Sequence, residues 1–175
     1  GQVIVRVKAT SLNYHDVFTT KGMPGIKVPL PIVIGLDISG EIAEIGTGVD
    51  GWSLGDRVLI NPLDPITPEK GLMGEMLDGG TAELCAVDAT RLIKIPAGCS
   101  YEQAAALPVA YGTAHRMMIT NGGMKGGEKV LILGASGGVG SGCVLLAKAM
   151  GCEVVAAGST PEKLSILKTW GVDHV

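Results

Sequence analysis

The sequence predicts a chain of the α/β class in two parts, a β-rich domain followed by the opening of a domain of alternating strands and helices. Three observations predict it. Up to about Pro96, short runs of β-branched residues and leucine are punctuated by glycine and proline. From Cys99 onward the period lengthens to that of helices alternating with uniformly apolar strands. Between one such strand and one such helix stands the glycine-rich turn Gly134-Ala-Ser-Gly-Gly-Val-Gly140. The 175 residues suffice for one good core or two incomplete ones, and the change of rhythm favours two, 1–96 and 97–175.

In the first part, Val3–Val7 alternates as a strand, and Val28–Ile34, Gly40–Ile45, Asp56–Ile60 and Leu92–Ile95 are further strand candidates. Asn61–Gly80, carrying Pro62, Pro65 and Pro68 and a Gly-Leu-Met-Gly-Glu-Met run, reads as an excursion over the surface. In the second part, Ser100-Tyr-Glu-Gln103 forms a capping box that starts a helix at Tyr101, and breaks fall at Pro108 and at Asn121-Gly-Gly123. Lys129–Leu133 reads as a strand buried on both faces. After the glycine turn, Val139, Cys143, Leu146 and Met150 fall on one helical face, and Gly151 stops the helix. Glu153–Ala157 is the next strand, and Thr160-Pro161 caps and opens the next helix. The chain opens within a strand and stops at Gly171–Val175 where another begins, so both domains are expected to be truncated at their outer ends.

Composition narrows the function classes. Apolar residues make up 46% and charged residues 18%, as in a globular protein. With 14 Lys+Arg against 17 Asp+Glu, a net charge of -3 and no basic block, nucleic acid and anionic membranes are disfavoured partners and a small soluble ligand is favoured. No apolar run approaches the ~20 residues that span a bilayer and no leader-like start is present, so the cytoplasm is the expected location. Cys85, Cys99, Cys143 and Cys152 show no C-x-x-C spacing and read as reduced core thiols.

The glycine turn carries the chemistry. Small residues from Ala135 through Ser136, Gly137, Gly138, Val139 and Gly140 let a backbone approach a pyrophosphate, whose charge is met by amide N–H groups and the helix dipole. An NAD site usually places Asp or Glu at the tip of the second strand to bind the ribose hydroxyls. Here Gly158 leaves room, Ser159 and Thr160 offer hydrogen bonds and Lys163 a charge, a set that favours NADP(H) and its 2′-phosphate. Ser159 and Thr160 also suit plain helix capping.

Ser11-Leu-Asn-Tyr-His-Asp16, Pro31-Ile-Val-Ile-Gly-Leu-Asp-Ile-Ser-Gly-Glu41, Gly55-Asp-Arg-Val58, Asp78-Gly-Gly-Thr-Ala-Glu83, Ala104-Ala-Ala-Leu-Pro-Val-Ala-Tyr-Gly-Thr-Ala114 and the phosphate loop stand in an order and spacing that resembles the medium-chain dehydrogenase/reductase superfamily, near its alcohol dehydrogenase-like, quinone oxidoreductase and enoyl reductase branches. The resemblance runs from end to end. It implies a partial GroES-like catalytic domain followed by an incomplete Rossmann domain, with substrate and nicotinamide meeting between them in a longer, homodimeric or homotetrameric protein.

Positions that hold catalytic zinc in the alcohol dehydrogenases are matched here by Asn13, Leu36 and Ala105, and the excursion lacks the cysteines of their structural-zinc lobe. Zinc is therefore not expected, and a displaced site using His15, Asp16 or Asp37 is the less favoured option. The resemblance assigns Asn13 to hydrogen bonding of nicotinamide or substrate carbonyl, Tyr14 or His15 to proton donation, and Val109 and Thr113 to contact with the nicotinamide, with helix packing as their alternative role. For Asp16 a bracing role is favoured, and His115 is expected to pack or face solvent. The expected activity is hydride transfer between NADP(H) and a quinone, enone or related carbonyl-conjugated substrate. A zinc alcohol dehydrogenase with displaced ligands and a non-catalytic NADPH-binding protein are the alternatives. The isolated chain is expected to be inactive and to aggregate.

Overall fold

A computed structural model describes all 175 residues and divides them into two compact units, Gly1–Val109 and Ala110–Val175. The first is built on a five-stranded antiparallel sheet in the order β4-β1-β2-β3-β5, from β1 (Gln2–Ser11), β2 (Asp37–Ile45), β3 (Arg57–Ile60), β4 (Leu84–Asp88) and β5 (Leu92–Lys94). Strand alternation puts Val3 and Val5 inward, opposite Ile45 and Ile42 on one neighbour and Val87 and Cys85 on the other. Ile38, Val58 and Ile60 complete this core, and each fully buried aliphatic side chain contributes about 1.5–3 kcal/mol.

Helix α1 (Tyr14–Lys21) follows β1 directly and helix α2 (Tyr101–Ala105) ends the unit. At α2 the expected capping box is present: the Ser100 hydroxyl accepts from Gln103 N, and the Gln103 side chain accepts from Ser100 N. The compact division falls later in the chain than the break in sequence rhythm at Pro96. Helix α2 belongs to the first unit because Tyr101 O accepts from the Ser39 hydroxyl, the Tyr101 phenol donates to Glu41, and the Arg57 guanidinium lies 4.5 Å from the Tyr101 ring centre.

Three expectations are corrected here. Val28–Ile34 is not a strand, since Pro29 and Pro31 remove two ladder donors. Helix α1 and strand β4 stand where no regular element was expected. The 61–80 segment is no simple surface excursion, because Asp64, Met73 and Glu75 are buried.

The second unit contains α3 (Ala110–His115), which runs on into a wider turn over Arg116–Asn121, then β6 (Lys129–Leu133), α4 (Gly138–Ala149), β7 (Glu153–Ala157) and α5 (Pro161–Thr169). Strands β6 and β7 pair in parallel, Lys129 with Glu153 through Leu133 with Ala157, around the crossover helix α4. The face of α4 that is buried comprises Gly142, Cys143, Val144 and Ala147. Contrary to expectation, β6 is not covered on both faces: Ile132 is buried while Leu131 and Leu133 are 63% and 75% exposed. No helix is long and apolar enough to cross a membrane.

Candidate active site

The catalytic candidates of the first unit cluster around two buried carboxylates. Asp37, at the start of β2 and 1% exposed, accepts from the Ser11 hydroxyl at 2.6 Å, Asn13 Nδ2 at 2.8 Å and the Val109 amide at 2.9 Å. Asp16 accepts from the Asn13 amide at 2.7 Å and the Gly35 amide at 3.1 Å. A third-position carboxylate capping a helix start in this way also suits the dipole of α1. Asp16 thus braces the loop, and Asp37 rigidly joins Asn13 to Val109 from 72 residues away.

His15 and Tyr14 differ in setting. His15 Nε2 meets Glu75 Oε2, the carboxylate coming from the 61–80 segment. Tyr14 is 81% exposed, with only Phe18 as an aromatic neighbour, their ring centres 6.2 Å apart. Asn13 and Val109 share the Asp37 network, His15 is paired separately with Glu75, and Tyr14 is left free. Nowhere do three or more His, Cys, Asp or Glu side chains converge as a metal cluster. Leu36 and Ala105 are buried and apolar.

In the second unit both candidate nucleotide turns lie at the carboxyl ends of the adjacent parallel strands β6 and β7. The Ala135 amide donates to Ala157 O at 3.0 Å, tying one turn to the other. The Gly137 amide likewise donates to Gly134 O at 2.9 Å, so the amides of these two residues shape the turn. Gly138, Val139 and Gly140 open α4, where amides lack intrahelical acceptors, and no side chain caps this end. A Cβ on Gly140 would overlap the Gly134 carbonyl and stand 2.8 Å from Ala135 Cα, so glycine alone permits the close turn. Ser136 is exposed beside these amides.

At the second turn, Thr160 Oγ1 accepts from Lys163 N at 3.4 Å, and Ser159 and Lys163 are exposed. A Cβ at Gly158 would stand 2.8 Å from Leu164 Cδ2, so the room there is already taken by packing of α5. Thr113 is exposed on α3, whose Ala114 and Tyr111 approach Gly142 of α4. His115 is likewise exposed.

Sequence reasoning missed Glu75 and the hub role of Asp37. An acidic residue within the apolar run from Ile32 to Ile38 was the available signal for Asp37. Nothing near Glu75 announced a partner sixty positions away.

Residues 1–97 match the alcohol dehydrogenase GroES-like domain family and residues 138–175 the zinc-binding dehydrogenase family. Over 95% of its length the chain is 36% identical to an acryloyl-coenzyme A reductase of Metallosphaera sedula, covering 54% of that protein. It is 38% identical over 98% of its length to a quinone oxidoreductase-like protein 2 homolog of Nematostella vectensis, covering 43% of it. Among solved structures, an NAD-dependent alcohol dehydrogenase superposes with a TM-score of 0.90 at 35% identity, over 99% of this chain and 54% of that one. The chain therefore spans about half the length of these relatives.

Proposed function

Since the chain belongs to the medium-chain dehydrogenase/reductase superfamily, we propose that the full-length protein is an NADP(H)-dependent reductase of a quinone, enone or related carbonyl-conjugated substrate, working without catalytic zinc. The observation that carries the cofactor reading is the uncapped start of α4 behind the Gly134–Gly140 turn. There Gly138, Val139, Gly140 and Ser136 would hold the diphosphate by their amides, with the positive end of a 12-residue helix behind them. Ser159, Thr160 and Lys163 would meet a 2′-phosphate. When bound, the reduced nicotinamide supplies the hydride.

The donor set supports the zinc-free reading: Leu36 and Ala105 have no ligating atom, and the Asn13 amide is directed to Asp37. A substrate that delocalises developing charge through its own conjugation needs no Lewis acid, which suits an alkene or quinone better than a simple alcohol. The acryloyl-coenzyme A reductase resemblance agrees, since an acryloyl thioester is such an alkene. Asn13 would orient a carbonyl, Val109 would stay fixed by Asp37, and His15 or Tyr14 would supply the completing proton.

Calorimetry on the full-length protein with NADPH and NADH, followed by turnover with quinones and enones, tests this reading. NADPH is expected to bind more tightly than NADH, and Gly140→Val to abolish binding of both while leaving thermal unfolding cooperative. Tighter binding of NADH would overturn the 2′-phosphate assignment; stoichiometric zinc lost together with activity would overturn the zinc-free one.

A further inference from the structure

We propose that Glu75 is a positioning residue, held by the anchored 61–80 segment so that its carboxylate fixes the His15 ring and leaves Nδ1 as the nitrogen that passes a proton to substrate. The inference rests on the reading in which His15 is the proton donor.

Glu75 is 8% exposed, and its carboxylate has His15 Nε2 as its hydrogen-bond partner. A carboxylate has no proton to give, so Nε2 must be the protonated nitrogen of the pair. Burying such a group is costly unless it is paired, and loops do not ordinarily turn acidic side chains inward. One turn further along α1, Thr19 is 7% exposed and its hydroxyl has no partner. With Phe18, Met23 and Ile26 it walls the small pocket that contains the His15–Glu75 pair. His15 is thereby flanked on the α1 side by packing and held at one nitrogen.

The support for Glu75 is equally built. Arg91 is 1% exposed and donates to Pro62 O at 2.6 Å and Gly71 O at 3.1 Å, closing the segment on itself. Its Nε lies 3.7 Å from Asp64 Oδ2, and Asp64 also accepts from Thr90 and from the Ile66 and Thr67 amides. Gly79 N and Gly80 N donate to Val33 O and Gly35 O, and Gly35 N is itself held by Asp16 of α1. The segment that carries Glu75 and the helix that carries His15 are thus tied to the same short stretch of backbone.

In the reduction of an enone, bound reduced nicotinamide would supply the hydride for the β-carbon and be left oxidised. The α-carbon takes the proton that leaves Nδ1 of a doubly protonated His15. The ring then remains neutral, keeping its proton on Nε2, where it donates to the Glu75 carboxylate, and solvent restores the proton on Nδ1. A ring free to rotate or to exchange tautomers would present the wrong nitrogen for part of the time, which is how a carboxylate partner contributes without touching substrate.

The test uses the full-length enzyme with NADPH and 2-cyclohexen-1-one, and nitrogen-15 spectra of its histidines. Glu75→Gln is expected to lower kcat by about tenfold and His15→Gln by about a hundredfold, the lower end of what a general acid contributes, with KM for NADPH unchanged in both. In the double variant, Glu75→Gln is expected to add less than about twofold to the loss from His15→Gln, because the two act as a unit. The His15 spectrum is expected to show one tautomer in the parent and a mixture in Glu75→Gln. Glu75→Asp, which keeps the charge and withdraws it by one methylene, serves if the amide variant does not fold, and is expected to lower kcat in the same direction. A single tautomer retained in the variant, or losses that multiply independently, would overturn the inference and leave Glu75 as a fastening of the segment. His15→Gln with full turnover would overturn the donor reading and this inference together; a His15-dependent enzyme indifferent to Glu75 would overturn this inference alone.

Discussion

Asp37 holds three donors on one buried carboxylate, and the residues it joins are two of those assigned to the reaction, Asn13 and Val109. Replacing it with Ala leaves a hydroxyl, a side-chain amide and a backbone N–H without their partner. An unsatisfied buried group costs about 1–3 kcal/mol, and water can reach these partly buried donors in part, so Asp37→Ala is expected to lower the unfolding free energy by about 2 kcal/mol or more. Urea denaturation of the full-length protein checks this, and a loss below about 1 kcal/mol would mean that other acceptors take over the three donors. At this scale the sequence was informative where chemistry is local: Asn13, His15 and Asp16 stand together in one motif, and the glycine turn carries its own signature. It was silent on Glu75, whose meaning depends on a partner that only tertiary folding delivers, and it does not reveal which amides the glycine turn keeps for itself, as those of Ala135 and Gly137 are.

Among the elements, those whose period comes from local packing were legible: β6, α4, β7 and the Thr160 cap of α5 fall where alternation, helical period and capping residues put them. Helix α1 was not, because its eight residues hold only Tyr14, Val17 and Phe18 at helical spacing, too short a run for the period to repeat, and all three stay exposed. The 61–80 segment was read as surface from its prolines, yet a buried ion pair folds it inward. Asp64 shows how that pair depends on pH. The Thr90 hydroxyl, the Thr67 and Ile66 amides and nearby Arg91 hold its carboxyl well below the usual carboxylate range, against the opposing effect of burial. A depressed folded value means that the stabilisation is complete above the ordinary Asp value of about 4 and is lost as pH falls through the folded value. Asp64→Asn is therefore expected to lower the urea midpoint at pH 7 and to flatten its decline below pH about 4, since the variant has no carboxyl there to protonate. Parallel declines in parent and variant would show that other carboxylates govern acid stability. Removing one partner of a buried pair costs about 3–5 kcal/mol, so Arg91→Met should be at least as damaging as Asp64→Asn at neutral pH.

For the molecule as a whole, the two units are unequally finished. The five-stranded sheet of the first encloses its aliphatic core, whereas β6 and β7 form a two-stranded parallel sheet with α4 packed against one face. Alternation along β6 sends Ile132 into the core and leaves Leu131 and Leu133 bare on the other face. Beside them Met117 and Val139 line an apolar groove of about 460 Å³. Parallel strands are ordinarily covered on both faces, and two strands alone are marginal in water. The 175-residue chain on its own is therefore expected to bind an apolar dye, to elute as aggregates and to unfold without a sharp transition in its second unit, while a longer chain that covers β6 would do none of these. The first unit is expected to keep amide protection along β1 and β2, because its core does not depend on that coverage. Monomeric elution of the 175 residues with one cooperative thermal transition would contradict this account and would mean that α4 and β7 suffice to stabilise the half-open sheet.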